Sequence, residues 1–170
     1  MMAIREQILD ILQKAYQIEV DGYTFYSMTA DRAEKPVVRE LFDKLARDEV
    51  EHQAYLKSVI GHYDEQGTAA FRIARRVPRL GAFSDRIFTD RFRQQAQGAS
   101  FEFAVLSIGM QLESNAINYF ANAARNAGDD EVRGFYQFLA DWEKEHLAAL
   151  QEIHESVRSD FWAHSGFAPF

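Results

Sequence analysis

Apolar residues recur at three- and four-residue steps over four stretches of the chain, which is the spacing of helices with one buried face. The predicted helices cover about 3–33, 36–60, 99–126 and 130–157. Pro36 stands at the start of the second helix, where its missing N–H is tolerated, and Gly128 marks the turn before the fourth. The pattern predicts an all-α, antiparallel four-helix bundle. Residues 61–97 would form one long crossover between helices 2 and 3, and residues 158–170 an aromatic-rich tail.

Acidic and histidine residues lie within the apolar stripes of all four predicted helices. Glu19, for example, takes the place of an apolar residue in a stripe that includes Ile8, Ala15 and Tyr26. The complete set is Glu19, Glu49, His52, Glu113, Glu143 and His146. Because such stripes face the core of a bundle, these six polar side chains are predicted to be buried.

The two halves of the chain repeat each other. Glu19, Glu49 and His52 each have an identical residue 94 positions later. The similarity extends to their surroundings, since LARDEVEH in the second predicted helix corresponds to LADWEKEH in the fourth. A repeat of this kind indicates two related helical hairpins joined by the crossover.

The position of each carboxylate along its hairpin can be counted from the predicted turn. Glu19 and Glu49 lie about 16 and 14 residues from the first turn, so at 1.5 Å per residue they are within about 3 Å of the same level. Glu113 and Glu143 are each 15 residues from the second turn. Packing the two hairpins face to face therefore brings all four carboxylates together in the middle of the bundle.

Four carboxylates inside an apolar core need to be neutralised. An unpaired buried charge costs several kcal/mol, or the group takes up a proton. Two divalent cations would cancel four negative charges, and oxygen ligands combined with two imidazoles suit iron, manganese or zinc. A buried polar network without a metal is the alternative, and the repeated Glu-x-x-His spacing favours two metal ions over it.

Composition narrows the classes of protein further. The chain of 170 residues has the length of one domain and contains no cysteine, which excludes disulfides, thiolate metal sites and a catalytic thiol. A net charge of −7 argues against general nucleic-acid binding. Charged residues interrupt the first ten positions, and no stretch approaches the roughly 20 apolar residues of a membrane span. We therefore expect a single-domain cytoplasmic protein with no membrane span and no nucleic-acid partner.

One segment of the crossover is locally basic. Seven of the fourteen arginines fall between Arg72 and Arg93, interleaved with phenylalanines. Docking to nucleic acid, an acidic partner or a membrane surface is one interpretation. The favoured interpretation is an amphipathic helix near Ser84 to Gln97 that covers the bundle or forms a subunit contact.

Tyr23 is a candidate accessory residue beside the metals, although packing in the core is its favoured role. It lies four residues after Glu19, so it could hydrogen-bond to a ligand or donate an electron. The same roles are open to Tyr26, Tyr119 and Trp142, although packing in the core is the favoured role for each.

About 110 residues in the four predicted helices, with the ligand spacing met twice, resemble the ferritin-like superfamily, specifically the diiron domain of rubrerythrin and its relatives. The resemblance implies that Glu49 and Glu143 bridge two metal ions. It further implies that the terminal ligands are Glu19, His52, Glu113 and His146. Rubrerythrins proper usually carry another Glu three residues after the third-helix ligand and a cysteine-rich rubredoxin domain, whereas this chain has Ala116 and no cysteine.

What the resemblance implies about function is a diiron-carboxylate oxidoreductase in which Fe(II) reacts with O2 or H2O2. Peroxide scavenging or ferrous iron oxidation would be the activity, with an electron donor that the sequence does not identify. The alternative is a non-catalytic bundle that binds a metal such as zinc or acts in protein interactions. We expect a homodimer or a higher homo-oligomer, with the aromatic tail as a candidate contact.

Overall fold

The structure is a computed structural model that describes residues 2–74 and 100–165. Every regular element within those ranges is a helix, and the helices are α1 Met2–Arg32, α2 Pro36–Gln66, α3 Ala69–Ala74, α4 Ser100–Asn126 and α5 Asp130–Ser165. The prediction of an all-α bundle of four long helices is confirmed. The predicted crossover helix near Ser84 to Gln97, and most of the arginine-rich segment, lie outside the described residues.

The four long helices form two antiparallel hairpins that pack on each other. α1 pairs with α2 and α4 pairs with α5, while α1 also contacts α4, and the short helix α3 packs on α2 and α5. Two apolar clusters fill the opposite ends of the bundle. One cluster contains Leu12, Leu56, Phe120, Leu139 and Trp142. The other contains Tyr26, Leu41, Phe42, Leu106 and Leu150.

The turns of the two hairpins are closed in the same way, as the duplication predicts. The guanidinium group of Arg39 donates a hydrogen bond of 2.8 Å to the carbonyl oxygen of Ala33. At the equivalent positions of the second hairpin, Arg133 donates one of 3.0 Å to the carbonyl oxygen of Ala127. In both hairpins this bond joins the first turns of one helix to the end of the preceding helix. The two hairpins therefore have the same register at the turn.

Two helices extend further than their patterns predict. α2 continues through Gly61 to Gln66, because a helical glycine costs only about 1 kcal/mol and Tyr63 beyond it is buried against Phe71, with ring centroids 5.2 Å apart. The helix ends at Gly67, which has a φ of 62°. The prediction that the fourth helix ends near residue 157 is wrong, because α5 continues to Ser165. The sequence has no Gly or Pro after Gly134 and before Gly166 that would end the helix earlier.

None of the helices in residues 2–74 and 100–165 has the length and apolar character needed to cross a membrane.

Candidate metal centre

The structure brings the six predicted metal-binding residues together between the two apolar clusters. α1 and α4 each contribute one carboxylate, and α2 and α5 each contribute a Glu and a His three residues apart. All six are buried, with no more than 4% of any residue exposed. We call this set, Glu19, Glu49, His52, Glu113, Glu143 and His146, the Glu/His cluster.

Within the Glu/His cluster, potential ligand atoms lie within 4.8 Å of one another in three overlapping groups. The groups are Glu49, His52 and His146; Glu49, Glu113, Glu143 and His146; and Glu19, His52 and Glu143. Glu49, His52, Glu143 and His146 each belong to two groups. Of these four residues only Glu49 and Glu143 are carboxylates, whose two oxygens can contact two neighbouring cations at once.

The imidazole of His52 connects the two carboxylates of the first hairpin. Its Nδ1 atom lies 3.1 Å from Oε2 of Glu19 and 3.5 Å from Oε2 of Glu49. One face of the ring stacks on Trp142 at a centroid distance of 4.2 Å, and His146 lies 5.1 Å away in a second stacked contact. His52 is thereby held in a fixed orientation towards the centre.

His146 has a denser carboxylate environment. Its Nδ1 atom lies 3.5 Å from both Glu49 and Glu113 and 3.7 Å from Glu143. On the other side of the ring, Nε2 lies 3.8 Å from Oδ2 of Asp48, a residue that the sequence analysis did not single out. The spacing of residues along α2 does not show that Asp48 is buried, because an Asp at this position could equally lie on the exposed face of a helix.

Several polar atoms of the Glu/His cluster are buried without a hydrogen-bond partner. They include Oε1 of Glu19, Oε1 of Glu143 and Nδ1 of His146. Buried polar atoms are usually hydrogen-bonded, because leaving one unsatisfied costs about 1–3 kcal/mol. Atoms of these types are the donor atoms that bind iron, manganese or zinc. The residues present therefore fit a pair of bound cations.

The charges of the cluster shift its own pKa values. Burial and the negative charge of Glu49 raise the pKa of Glu19 to about 8. Burial and the neighbouring carboxylates raise the pKa of Glu143 well above its usual range. Burial alone would lower the pKa of His146, but the carboxylates of Glu113 and Glu49 raise it well above its ordinary value. Without metal the cluster therefore holds protons at neutral pH, and cations must displace them.

Glu113 differs from the other acids of the cluster. Burial acts to raise the pKa of Glu113, but hydrogen bonding and charge interaction with His146 outweigh it, and the hydroxyl of Tyr26 adds to the lowering. Tyr26 is fully buried and donates a hydrogen bond to Oε1 of Glu113. The carboxylate of Glu113 is thus ionised and positioned before any cation binds.

The prediction of Tyr23 as the accessory residue is wrong. Tyr23 is 41% exposed, whereas Tyr26 lies against the cluster. A step of four residues from Glu19 rotates the side chain by about 40° around the helix, and a step of seven rotates it by about 20° the other way. Tyr26 therefore lies closer to the face that Glu19 presents to the core.

A cavity of about 290 Å³ lies between α1 and α4 and reaches the buried carboxylates. Its lining includes the cluster residues Glu19, Glu49, Glu113 and Glu143. It also includes Asp21 and Asn115, both exposed, the half-buried Tyr119 and the buried Ala116. The lining thus extends from exposed residues to the Glu/His cluster, and Ala116 contributes only a methyl group to the wall.

A protein-family model described as Rubrerythrin matches residues 10–154, which is more than half of the chain. The match begins in α1 and ends in α5, so it includes all six residues of the Glu/His cluster. Comparison with curated proteins and with solved structures gave no match. The chain therefore belongs to the rubrerythrin family.

Proposed function

We propose that this protein is a diiron-carboxylate oxidoreductase that binds two iron ions in the Glu/His cluster and reduces H2O2 or O2. Its activity would be peroxide scavenging or the oxidation of ferrous iron. The observation that carries the proposal is the overlap of ligand groups, in which Glu49 and Glu143 are shared between neighbouring sets of buried donor atoms. Membership of the rubrerythrin family supports iron as the metal.

The geometry suggests a role for each residue of the cluster. Glu49 and Glu143 would bridge the two ions, since each is a carboxylate that belongs to two groups. Glu19 with His52, and Glu113 with His146, would complete the coordination of one ion each. The four carboxylates would then be neutralised by two divalent cations, which removes the mutual repulsion that raises the pKa values of Glu19 and Glu143.

When bound, a pair of ferrous ions supplies two electrons to an oxidant. For peroxide the balance is one H2O2, two electrons and two protons giving two molecules of water, and an external donor would return the electrons. The cavity between α1 and α4 admits a molecule as small as H2O2 or O2 to the carboxylates. Tyr26 lines this cavity and its hydroxyl donates a hydrogen bond to Glu113, and burial together with the charge of Glu113 raises the pKa of Tyr26 well above its usual value, so the hydroxyl keeps its proton.

Metal content is the first test. The protein should bind two iron ions per chain, and Glu143→Ala should lose at least one of them because it removes a shared ligand. Glu152→Ala is the matched control, since it removes an exposed carboxylate from the same helix. A wild-type chain that binds no metal, or a Glu143→Ala variant that still binds two ions, would contradict the assignment of the site.

Reactivity is the second test. The purified protein is loaded with Fe(II) under anaerobic conditions, and O2 or H2O2 is then added while the near-ultraviolet absorbance of ferric iron and the consumption of the oxidant are followed. Stoichiometric consumption together with ferric absorbance supports the oxidoreductase. Two bound metals with no consumption of either oxidant would instead support a non-catalytic metal-binding bundle.

A further inference from the structure

The surroundings of the Glu/His cluster are asymmetric, although the sequence that forms it is duplicated. The displacement of 94 residues that relates the two hairpins makes Asp48 and Trp142 equivalent positions. Each side chain reaches the histidine of the opposite hairpin. Asp48 lies beside His146, with Oδ2 at 3.8 Å from Nε2, whereas Trp142 stacks on His52 with the ring planes 6° apart. The two histidines are therefore supported by different chemistry.

Asp48 lies behind His146 as seen from the cluster. Nδ1 of His146 faces the cluster carboxylates, so its Nε2 atom is the one directed at Asp48. Oδ2 of Asp48 is buried and has no hydrogen-bond partner. A carboxylate in this position favours the imidazole proton on Nε2, leaves Nδ1 free to bind a cation and increases the basicity of that nitrogen.

Trp142 gives His52 no such support. Its indole lies against the face of the imidazole at 4.2 Å, and its Nε1 atom has no hydrogen-bond partner. A stacked ring restricts the orientation of His52, but it accepts no proton from the imidazole and brings no negative charge. Trp142 therefore does not increase the affinity of the His52 imidazole for a cation.

The donor groups around the two histidines overlap. His146 is grouped with Glu49, Glu113 and Glu143, and His52 is grouped with Glu19 and Glu143 and also with Glu49 and His146. We call His146 with Glu113 the His146 half-site and His52 with Glu19 the His52 half-site. Glu49 and Glu143 are shared by both half-sites, so the contacts of Asp48 and Trp142 are what distinguish them.

We propose that the two half-sites bind metal with unequal affinity, so that the first ion enters the His146 half-site and the second enters the His52 half-site. Asp48 and Trp142 are positioning residues that set this order through the histidines they contact. The inference rests on the proposed two-metal centre. Its consequence is a form of the protein with one metal ion when metal is scarce.

Titration of the metal-free protein with Co(II), followed by visible absorbance and by competition with a chelator, measures each binding step separately. The wild type should show two steps, the first at higher affinity. Asp48→Asn keeps the shape of the side chain but removes its charge, and it should weaken the first step by about 10–100-fold while leaving the second nearly unchanged. Asp43→Asn, which neutralises an exposed carboxylate on the same helix, should leave both steps unchanged.

Variants of Trp142 test the other half-site. Trp142→Phe retains an aromatic ring against His52 and should leave both steps in place. Trp142→Asp would give His52 the carboxylate that His146 has, and it should strengthen the second step. If Trp142→Asp does not fold, the affinities of the two binding steps in Asp48→Asn still test whether the half-sites are unequal.

Two steps of equal affinity in the wild type, or an Asp48→Asn variant that weakens both steps alike, would overturn the unequal half-sites while leaving the two-metal centre standing. Fewer than two cobalt ions per chain would overturn the two-metal centre itself. The two failures are therefore distinguishable in a single titration.

Discussion

A β-carbon placed on Gly22 would lie 3.0 Å from both Cδ and Oε1 of Glu49. The absence of a side chain at Gly22 is thus what allows α1 to approach the carboxylate of α2. Gly22→Ala should displace Glu49 by a few tenths of an ångström, since the crowded atoms are the end of a flexible side chain. We expect metal affinity to fall by about tenfold or more, because ligand orientation is disturbed.

The same substitution should not destabilise the metal-free fold, because alanine is favoured over glycine in a helix by about 1 kcal/mol. Isothermal titration with metal and urea unfolding of the metal-free protein measure the two effects. Gly61→Ala is the control, since its added β-carbon would meet nothing within 4 Å and it shares only the gain in helix propensity. Equal metal binding by both variants would show that the contact between Gly22 and Glu49 is not needed.

Stability of the metal-free protein should fall as the pH rises. The pKa of Glu19 is raised from 4.5 to about 8, so the folded chain keeps a proton that the unfolded chain loses above about 4.5. The contribution is present in full below the unfolded pKa and is lost as the pH rises through about 8. The raised pKa values of Glu143 and His146 act in the same direction, and each pKa unit corresponds to about 1.4 kcal/mol.

Thermal unfolding in the presence of a chelator, between pH 5 and pH 8.5, measures this dependence. The unfolding temperature should decrease across the range, and Glu19→Gln should make the decrease smaller. Glu6→Gln, an exposed position on the same helix, should leave the slope unchanged. An unfolding temperature that rises with pH in the absence of metal would show that the cluster is ionised in the free protein.

Removal of the Tyr26 hydroxyl should lower the free energy of unfolding and change the pKa of Glu113. Tyr26→Phe loses a buried hydrogen bond to a carboxylate, and such bonds contribute about 1.5–3 kcal/mol to the free energy of unfolding. It should also raise the pKa of Glu113, which the hydroxyl helps to lower. Urea unfolding measures the first effect, and Tyr23→Phe, at an exposed tyrosine, should change the free energy of unfolding by less than about 0.5 kcal/mol.

The helices and the composition of the cluster could be predicted because both depend on spacing along the chain. The number of residues to each turn places Glu19 opposite Glu49 and Glu113 opposite Glu143, and the step of 94 residues shows that both hairpins have this arrangement. The hydrogen bonds that join the helices at the two turns follow the same step of 94 residues, since Arg39 and Arg133 make them at equivalent positions.

Features that depend on packing between helices could not be predicted in this way. Tyr23 and Tyr26 lie within about 60° of each other around α1, and only the fit of α1 against α4 decides which one is buried. Asp48 and Trp142 occupy equivalent sequence positions, yet their contacts with the histidines depend on side-chain orientation across the hairpins. The cavity beside Ala116 likewise depends on how closely α1 approaches α4.

Filling the cavity should slow the reaction with oxidant without emptying the site. Ala116 is buried and lines the cavity between α1 and α4, beside Glu113 on the same helix. Ala116→Leu adds three carbon atoms to this wall, so it should narrow the path by which H2O2 or O2 reaches the carboxylates. Leucine is close to alanine in helix propensity, and overpacking a buried position typically costs about 1–3 kcal/mol.

Stopped-flow mixing of the Fe(II)-loaded variant with H2O2 measures the rate, and metal analysis measures occupancy. We expect a slower reaction at unchanged metal content. Urea unfolding checks that the slower rate does not follow from a lower free energy of unfolding. Asn118→Leu places the same side chain at an exposed position two residues further along α4 and serves as the control. A wild-type rate in Ala116→Leu would mean that the oxidant enters by another route.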